Sequence, residues 1–381
     1  MSRKSTVAGI AMILMVLATI PFLGSDNVPF LKWWIMILII GIGFYPVTAS
    51  LFAAYTDRGW LFSKVFGVAV SGFAVFALTV CGVTEFVGWV CIAATLICFL
   101  VCWIYGFKRV KVEMPDMDLI FEEEALFLFF FLLWTYLAGF HPEAHGTEKF
   151  MDFGFMEAMM RSTTLPAKDI WYGTDGINYY YGGQYYAVFL TKLSFTDVKQ
   201  TYNLMRTLVA AFAFVLPFSI CYQMISSRIL QRRREKKLSP VIGGLLSGAA
   251  VSLAGNMHYV VYGCIGKWLG WESAADYWFP DSTRYIGYNP VVENDKTIHE
   301  FPSYSFVLGD LHAHVVNVMF VLFVIGGVYA YVRRVQEENA GEGKWNAKEI
   351  LLQPHLILLA FFIGIFHWTN YWDFVIYFVV V

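Results

Sequence analysis

Apolar residues are concentrated in long runs that are separated by short polar connections. A membrane-spanning helix needs about 20 mostly apolar residues. We read nine runs near that length, at 6–23, 33–54, 65–83, 86–106, 123–140, 204–225, 241–261, 306–332 and 350–367. The closing run FVIYFVVV at 374–381 is too short to cross a bilayer alone. The pattern therefore predicts an all-α polytopic membrane protein of about nine transmembrane helices plus a partial tenth, and we expect a fragment of a longer protein.

Composition supports the same fold class. Hydrophobic residues make up 58% of the chain and charged residues only 15%, whereas a soluble domain is about 25% charged. The net charge of -2 offers no basic surface, so we expect no nucleic-acid partner. The six cysteines include no CxxC pair, and most lie in apolar runs, which is typical of buried thiols.

Basic residues fall in alternate connections, at 3–4, 58–64, 108–111, 228–237 and 333–348. The positive-inside rule assigns such connections to the cytoplasm. We therefore expect a multi-pass protein of the plasma membrane with a cytoplasmic N-terminus. The long loops 141–203 and 262–305 are then extracytoplasmic.

The first four runs contain few polar residues, so residues 1–121 are predicted to form an accessory bundle of four transmembrane helices. The residues that carry chemical information begin near Glu122, and 122–381 is predicted to be a second membrane domain. The runs also lack the charges near the bilayer centre that coupled transporters use, and no matching pair of broken helices is evident.

The first long loop begins with a helical pattern over 148–160, in which Glu148 and Asp152 share a face at i,i+4. The aromatic and Met face of this helix suits the membrane boundary. Asp169 and Asp175 lie farther along the loop, among turn-forming residues.

The tyrosine cluster that follows has two interpretations. Tyr179, Tyr180, Tyr181 and Gln184 belong either to the aromatic belt at the membrane interface or to a stacking surface for a polar ligand such as a sugar. The second loop adds Lys267 and Arg284, which are candidates to bind a phosphate.

Glu300 precedes the string GDLHAH, in which Asp310, His312 and His314 enter an apolar run. Ionisable groups at membrane depth are costly and thus functional candidates. In a continuous helix Asp310 and His314 share a face while His312 points elsewhere, so all three could bind one metal only if the backbone is irregular at Gly309. The alternatives are a structural Asp310–His314 pair and a ligand or metal site. Mg or Mn suits such a carboxylate-rich set better than a structural zinc site.

The last polar stripe consists of His367, Asn370 and Asp373 at i, i+3, i+6. On the predicted topology it emerges on the same side as both long loops. We therefore expect a cavity at the outer membrane surface with aromatic walls and carboxylates at its base.

Three function classes are compatible with these residues: an enzyme acting on a lipid-linked substrate, a transporter, and a non-catalytic membrane scaffold. There is no GxSxG sequence for a serine nucleophile and no Walker A sequence for an ATP-driven pump.

Three strings, GTEKFMD (146–152), INYYYGGQYY (177–186) and EFPSYSFVLGDLHAHV (300–315), resemble the YYY-motif family of polytopic membrane proteins. The TN-x-WD string at 369–373 fits as well. The resemblance covers residues 122–381. In layout, that family is similar to the GT-C membrane glycosyltransferases, in which a core span precedes a long outer loop with an acidic motif near its start.

The resemblance implies transfer of a sugar from a polyprenyl-phosphate donor, with Glu148 or Asp152 as general base. Asp169 or Asp175 would assist, and Glu300, Asp310 and His314 would form a donor or metal site. The tyrosines would line the sugar pocket, and membrane lipid would surround the protein. Thr147 stands where those enzymes often have Asp, which departs from a paired-acid base.

Overall fold

The computed structural model describes residues 2–109, 114–146, 148–232, 239–288, 291–338 and 352–381. Within them the chain is helical, and the only β contacts are two isolated bridges. The α-helices are α1 Arg3–Leu23, α2 Asn27–Leu51, α3 Trp60–Val80, α4 Gly88–Arg109, α5 Met117–Ala138, α6 Lys149–Arg161, α7 Gly182–Ser194, α8 Val198–Arg232, α9 Pro240–Ser252, α10 Lys267–Leu269, α11 Glu272–Ala275, α12 Pro302–Leu308, α13 Ala313–Glu338, α14 Pro354–Thr369 and α15 Tyr371–Val380.

Five segments of this described part are long and apolar enough to cross a membrane. One of them, Arg3–Leu51, runs through both α1 and α2, and the others lie in α3, α4, α8 and α13. The protein is therefore a helical, multi-pass membrane protein. The count of nine spans plus a partial tenth is not confirmed. The basic residues at 233–238 and 339–351 lie outside the described residues.

The run predicted to span at 241–261 is interrupted. Helix α9 ends at Ser252, and a π-helix begins only at Tyr259. Between them Asn256 donates a hydrogen bond of 2.6 Å to the Ser282 carbonyl and accepts one of 3.1 Å from the backbone N–H of His258. Such side-chain bonds to the backbone compete with helical ones, and the chain is not helical at Asn256.

Helix α7 lies inside the protein, although the sequence placed all of 141–203 in an outward-facing loop. Tyr185 and Tyr186 are fully buried, and their hydroxyls donate to carbonyls of Gly72 and Ala69 in α3, at 2.8 and 3.1 Å. A Cβ at Gly72 would lie 2.5 Å from the Tyr186 ring, so α3 and α7 are in close contact. This part of the tyrosine cluster is core rather than an interfacial belt.

The N-terminal helices share one hydrophobic core with the rest of the described chain. The Tyr55 hydroxyl, after α2, donates to the Gly326 carbonyl in α13 at 3.1 Å, and Trp33 of α2 donates to Thr196 at 3.0 Å. The predicted division at residue 121 therefore crosses a packed interior, and it stays a prediction.

Two charged side chains near the starts of α3 and α5 are buried between the helices. Lys64 of α3 and Glu124 of α5 form an ion pair of 2.8 Å, and the indoles of Trp34 and Trp60 donate to the same carboxylate. Each of these three contacts pairs a charged or polar group that would be costly to bury unpaired. The pair could be inferred only from the fold, since Lys64 and Glu124 are far apart in sequence.

Candidate functional site

A sharp turn separates α12 from α13. Helix α12 ends at Leu308, and Gly309 adopts φ 77°, a left-handed conformation that favours glycine. The expected helix over 306–332 is therefore broken, and α13 starts only at Ala313. Because residues 310–312 are not helical, Asp310 and His312 can face the same side. From the sequence, an irregular backbone at Gly309 was the condition for Asp310, His312 and His314 to bind one metal. The backbone is irregular there, but His312 and His314 belong to two separate groups that share Asp310.

Arg206 of α8 lies directly beside Gly309 in this turn. Its guanidinium is buried and donates hydrogen bonds to the His141 and Ala138 carbonyls, at 3.1 and 3.5 Å, and to the Asn203 side chain at 2.8 Å. A Cβ built on Gly309 would lie 1.9 Å from Arg206 Nη1. Glycine is thus required here both for its backbone conformation and for space.

Four ionisable side chains meet beside this turn, and we call them the acid–imidazole cluster: Glu148, Asp152, Asp310 and His312. His312 Nε2 lies 2.6 Å from Glu148 Oε2, although the two residues are 164 positions apart. Its Nδ1 is hydrogen-bonded to Asp310 Oδ1 and lies 3.6 Å from Asp152 Oδ2. The imidazole is therefore surrounded by three carboxylates.

Asp152 is the most deeply buried member, with no exposed surface. Its Oδ1 accepts a 2.7 Å hydrogen bond from Gln184 Nε2, which also donates to the Leu311 carbonyl at 3.3 Å. Its Oδ2 has no hydrogen-bond partner in the described residues. Burial raises the pKa of Asp152 to about 7, although the nearby His312 opposes the shift. Gln184 thus supports a carboxylate, a role that the sequence did not predict.

The three carboxylates raise the pKa of the His312 imidazole. Burial lowers the pKa of His312, but the hydrogen bond and charge of Asp310, with contributions from Asp152 and Glu148, raise it to about 10. With no other ion present, His312 is an imidazolium at neutral pH and is the cation that balances these carboxylates.

A second group shares Asp310. His314 Nε2 lies 3.0 Å from Glu300 Oε2, and ligand atoms of Glu300, Asp310 and His314 all lie within 4.8 Å of one another. The side chains of Glu300 and His314 are 35% and 45% exposed. Asp310 therefore joins a buried group to a more exposed one, and either group could hold a metal ion.

The three consecutive tyrosines take different positions. Tyr179 and Tyr180 stack with ring centroids 4.1 Å apart, and their hydroxyls are 3.0 Å apart. Burial, the hydrogen bond to Tyr180 and the charges of Glu148 and Asp152 raise the pKa of Tyr179, so this ring lies near the acid–imidazole cluster. Tyr181 instead is buried against Trp368. Of the three, Tyr180 is exposed and Tyr179 is partly exposed.

A family model described as an uncharacterized membrane protein, DUF2298, matches residues 70–381. The chain belongs to this family. The match begins inside α3 and extends beyond the region 122–381 in which the YYY-motif resemblance was found. No curated protein and no solved structure matches the chain. The match shows neither the YYY-motif family nor a similarity to GT-C enzymes, and both resemblances stay predictions.

Two further predicted acids of this DUF2298 protein have local roles. Asp169 Oδ1 accepts hydrogen bonds from the backbone N–H groups of Trp171 and Tyr172, at 2.7 and 2.8 Å. Its own N–H donates to the Asp175 carbonyl at 2.9 Å. Within the described part, these contacts form a turn and do not reach the acid–imidazole cluster.

The predicted phosphate ligands also contact their own segment. Arg284 donates to the Pro280 carbonyl at 3.1 Å and lies 5.4 Å from the Trp278 ring centroid. Lys267 Nζ donates to the Tyr277 carbonyl at 3.2 Å. Among the described contacts, none connects either cation to the acid–imidazole cluster.

Asn370 and Asp373 lie where α14 gives way to α15. Asp373 Oδ2 accepts hydrogen bonds from Asn370 at 2.8 Å and from Asn317 of α13 at 2.7 Å. Thr369 donates to Asn317 Oδ1 at 2.6 Å. These residues connect the helix break to α13, one turn from His314. Their described contacts are those of a structural network.

The sequence interpretation missed two cations near Asp310. One is Arg206, and the other is Lys149, whose pKa is lowered by burial and by Arg206, against a raising effect of Asp310. A single arginine within the apolar run of α8, four residues after Tyr202, was the available signal. Thr147 lies outside the described residues.

Proposed function

We propose that the protein is a GT-C-like glycosyltransferase that moves a sugar from a polyprenyl-phosphate donor to a hydroxyl acceptor. The observation that carries this proposal is the acid–imidazole cluster itself. Side chains from the start of α6 and from the α12–α13 turn, more than 150 residues apart, meet beside a pair of stacked tyrosines. Clustered groups whose environments shift their pKa values are typical of catalytic sites.

Glu148 is the best-placed general base. Its side chain is 63% exposed, so an acceptor can reach it, whereas Asp152 is fully buried. As the acceptor oxygen bonds to the anomeric carbon, its proton passes to the Glu148 carboxylate. The bond from that carbon to the phosphate oxygen breaks, and the lipid phosphate leaves with the bonding electrons.

Positive charge stabilises that leaving group, and Lys149 and Arg206 are both close enough to Asp310 for their charges to interact with it. Tyr179 and Tyr180 offer two adjacent hydroxyls and stacked rings, which suit a sugar. The lipid tail of the donor would remain among membrane lipids beside α13.

This reaction fits the topology inferred from the basic connections. In that topology, the protein lies in the plasma membrane with nine spans plus a partial tenth and a cytoplasmic N-terminus. The cluster then lies at the outer face, where polyprenyl-linked sugars are used, and residues 1–121 form an accessory bundle.

Transport is a second candidate, favoured by the charged groups buried between α3 and α5. Glu123 is fully buried and close enough to Asp57 for their charges to interact. Uncompensated acids inside a membrane bundle are typical of ion pathways. Proton-dependent solute uptake into proteoliposomes that is lost in Glu123→Gln would favour this function.

The test of the transferase uses purified protein in lipid nanodiscs with a panel of polyprenyl-phosphate sugars, with and without Mg or Mn. Mass spectrometry measures the release of free polyprenyl phosphate. Glu148→Gln keeps the shape of the side chain and removes its basicity, so release should fall at least a hundredfold. Glu157→Gln is the matched control and should retain activity. Glu157 lies on the same helix, and its one ion pair among the described residues is with Arg161 at 3.2 Å. Equal activity of the two variants would refute the role of Glu148, and no turnover with any donor would refute the reaction.

A further inference from the structure

We propose that the acid–imidazole cluster is a binding site for one divalent metal ion of the Mn²⁺ class, with Asp152, Asp310 and His312 as its ligands. One ligand atom from each of Asp152, Asp310 and His312 lies within 4.8 Å of the other two, and His312 Nδ1 is 3.6 Å from Asp152 Oδ2. A metal at their centre would bind each of them directly. The inference rests on the site of the proposed transferase and deepens that function, but metal binding can be measured without any sugar donor.

Asp152 provides the first argument. Its Oδ2 is fully buried, faces His312 and has no hydrogen-bond partner in the described residues. The buried Oε1 of Gln184, which contacts the same carboxylate, also has none. Buried oxygens without a donor are rare because each costs free energy. A metal ion and a water bound to it would satisfy both oxygens.

The groups around the three ligands provide the second argument. Protein metal ligands are usually oriented by further hydrogen bonds, most often from a carboxylate to the second nitrogen of a ligating histidine. Glu148 Oε2 lies 2.6 Å from His312 Nε2, the nitrogen that the metal would leave free. Gln184 binds the Asp152 oxygen that faces away from His312, and the backbone N–H of His312 donates to Asp310 Oδ1 at 3.1 Å. Each ligand therefore already has its orienting partner.

The number of carboxylates provides the third argument. Glu148, Asp152 and Asp310 each place a carboxylate oxygen no farther than 3.6 Å from a ring nitrogen of His312. Hard divalent cations bind to such oxygens, so the cluster offers carboxylate ligands beside the imidazole.

The donor set indicates the class of ion. Two carboxylates favour Mg²⁺ or Mn²⁺, and the imidazole nitrogen favours Mn²⁺ over Mg²⁺. Three protein ligands leave positions for water or for a phosphate oxygen of a donor. The second group, Glu300 with His314, is less suitable because both side chains are partly exposed and are already paired with each other.

The experiment measures Mn²⁺ binding by electron paramagnetic resonance, which detects free Mn²⁺, in the purified full chain after treatment with a chelator. We expect one bound Mn²⁺ per chain. Asp152→Asn and His312→Ala should each abolish binding, and Gln184→Leu should weaken it about tenfold to a hundredfold. His314→Ala and Glu157→Gln should bind as the original protein does. Thermal unfolding of each variant establishes that it is folded.

The inference is overturned if the folded original protein binds no Mn²⁺ at millimolar concentration. It is also overturned if His314→Ala abolishes binding while His312→Ala retains it, because the ion would then occupy the Glu300 group. Turnover that persists in excess chelator would refute a role of the metal ion at this site in the reaction, but it would not refute the transferase. Stoichiometric Mn²⁺ binding without turnover of any donor would support the metal site and count against the transferase.

Discussion

Replacing Gly309 with alanine should destabilise the protein by about 3–5 kcal/mol. A non-glycine residue in the left-handed conformation costs about 1–2 kcal/mol. The new Cβ would lie 1.9 Å from Arg206 Nη1, where van der Waals contact needs about 3.5 Å, so the guanidinium must move. Its bonds to the Ala138 and His141 carbonyls would be weakened, and hydrogen bonds from a charged group contribute about 1.5–3 kcal/mol each.

Gly82 offers a matched control. It has φ 69°, close to that of Gly309, but a Cβ there meets open space. Gly82→Ala should therefore cost only the conformational part, about 1–2 kcal/mol. The free energy of unfolding can be measured by titration from a mild detergent into SDS, followed by tryptophan fluorescence. Equal losses in the two variants would refute the close contact with Arg206.

A double-mutant cycle tests the same contact independently. In an Arg206→Ala background the clash is absent, so Gly309→Ala should cost no more than Gly82→Ala does. An unchanged penalty would show that the turn, and not the guanidinium, is the source of the effect. The turn also positions the neighbouring Asp310, so Gly309→Ala should lower Mn²⁺ affinity as well.

Three further predictions concern stability. Burial raises the pKa of Asp57 to about 6. The contribution of Asp57 to the free energy of unfolding is therefore present below about pH 4 and is lost as the pH rises through 6. The melting temperature of Asp57→Asn should decrease less over this interval than that of the original protein. An equal decrease in both proteins would contradict this assignment. Tyr185→Phe should cost about 1 kcal/mol because it removes a buried 2.8 Å hydrogen bond, whereas Tyr180→Phe, at a 45% exposed side chain, should be neutral. Lys192→Met leaves three backbone carbonyls without their donor and should cost about 3 kcal/mol, against no measurable loss for the exposed Lys168→Met. Equal unfolding free energies within either pair would show that the buried bond contributes nothing.

Much of the helical layout could be predicted from the sequence. The long apolar runs correspond to helices because a segment in lipid must satisfy its own backbone hydrogen bonds. The runs at 241–261 and 306–332 were predicted less well, since both are interrupted by short polar stretches whose side chains bond to nearby backbone. Hydropathy averages over such stretches and does not detect them.

The members of the acid–imidazole cluster were named from the sequence, but their arrangement was not. Charged residues are scarce in this chain, so Glu148, Asp152, Asp310 and His312 stood out by composition and position. A helical period would have turned His312 away from Asp310, and only the Gly309 turn brings them together. The same limit explains why Gln184 was interpreted as lining a sugar pocket rather than as supporting Asp152.

The sequence by itself determined that the chain is helical, membrane-embedded and polar at the ends of a few helices, because those properties depend on local composition and spacing. The tertiary structure decided that α7 is buried, that Lys64 meets Glu124, and that Arg206 lies beside Gly309. Each of these contacts joins residues far apart in the chain. Their free energy depends on how helix surfaces pack, which no local pattern of residues specifies.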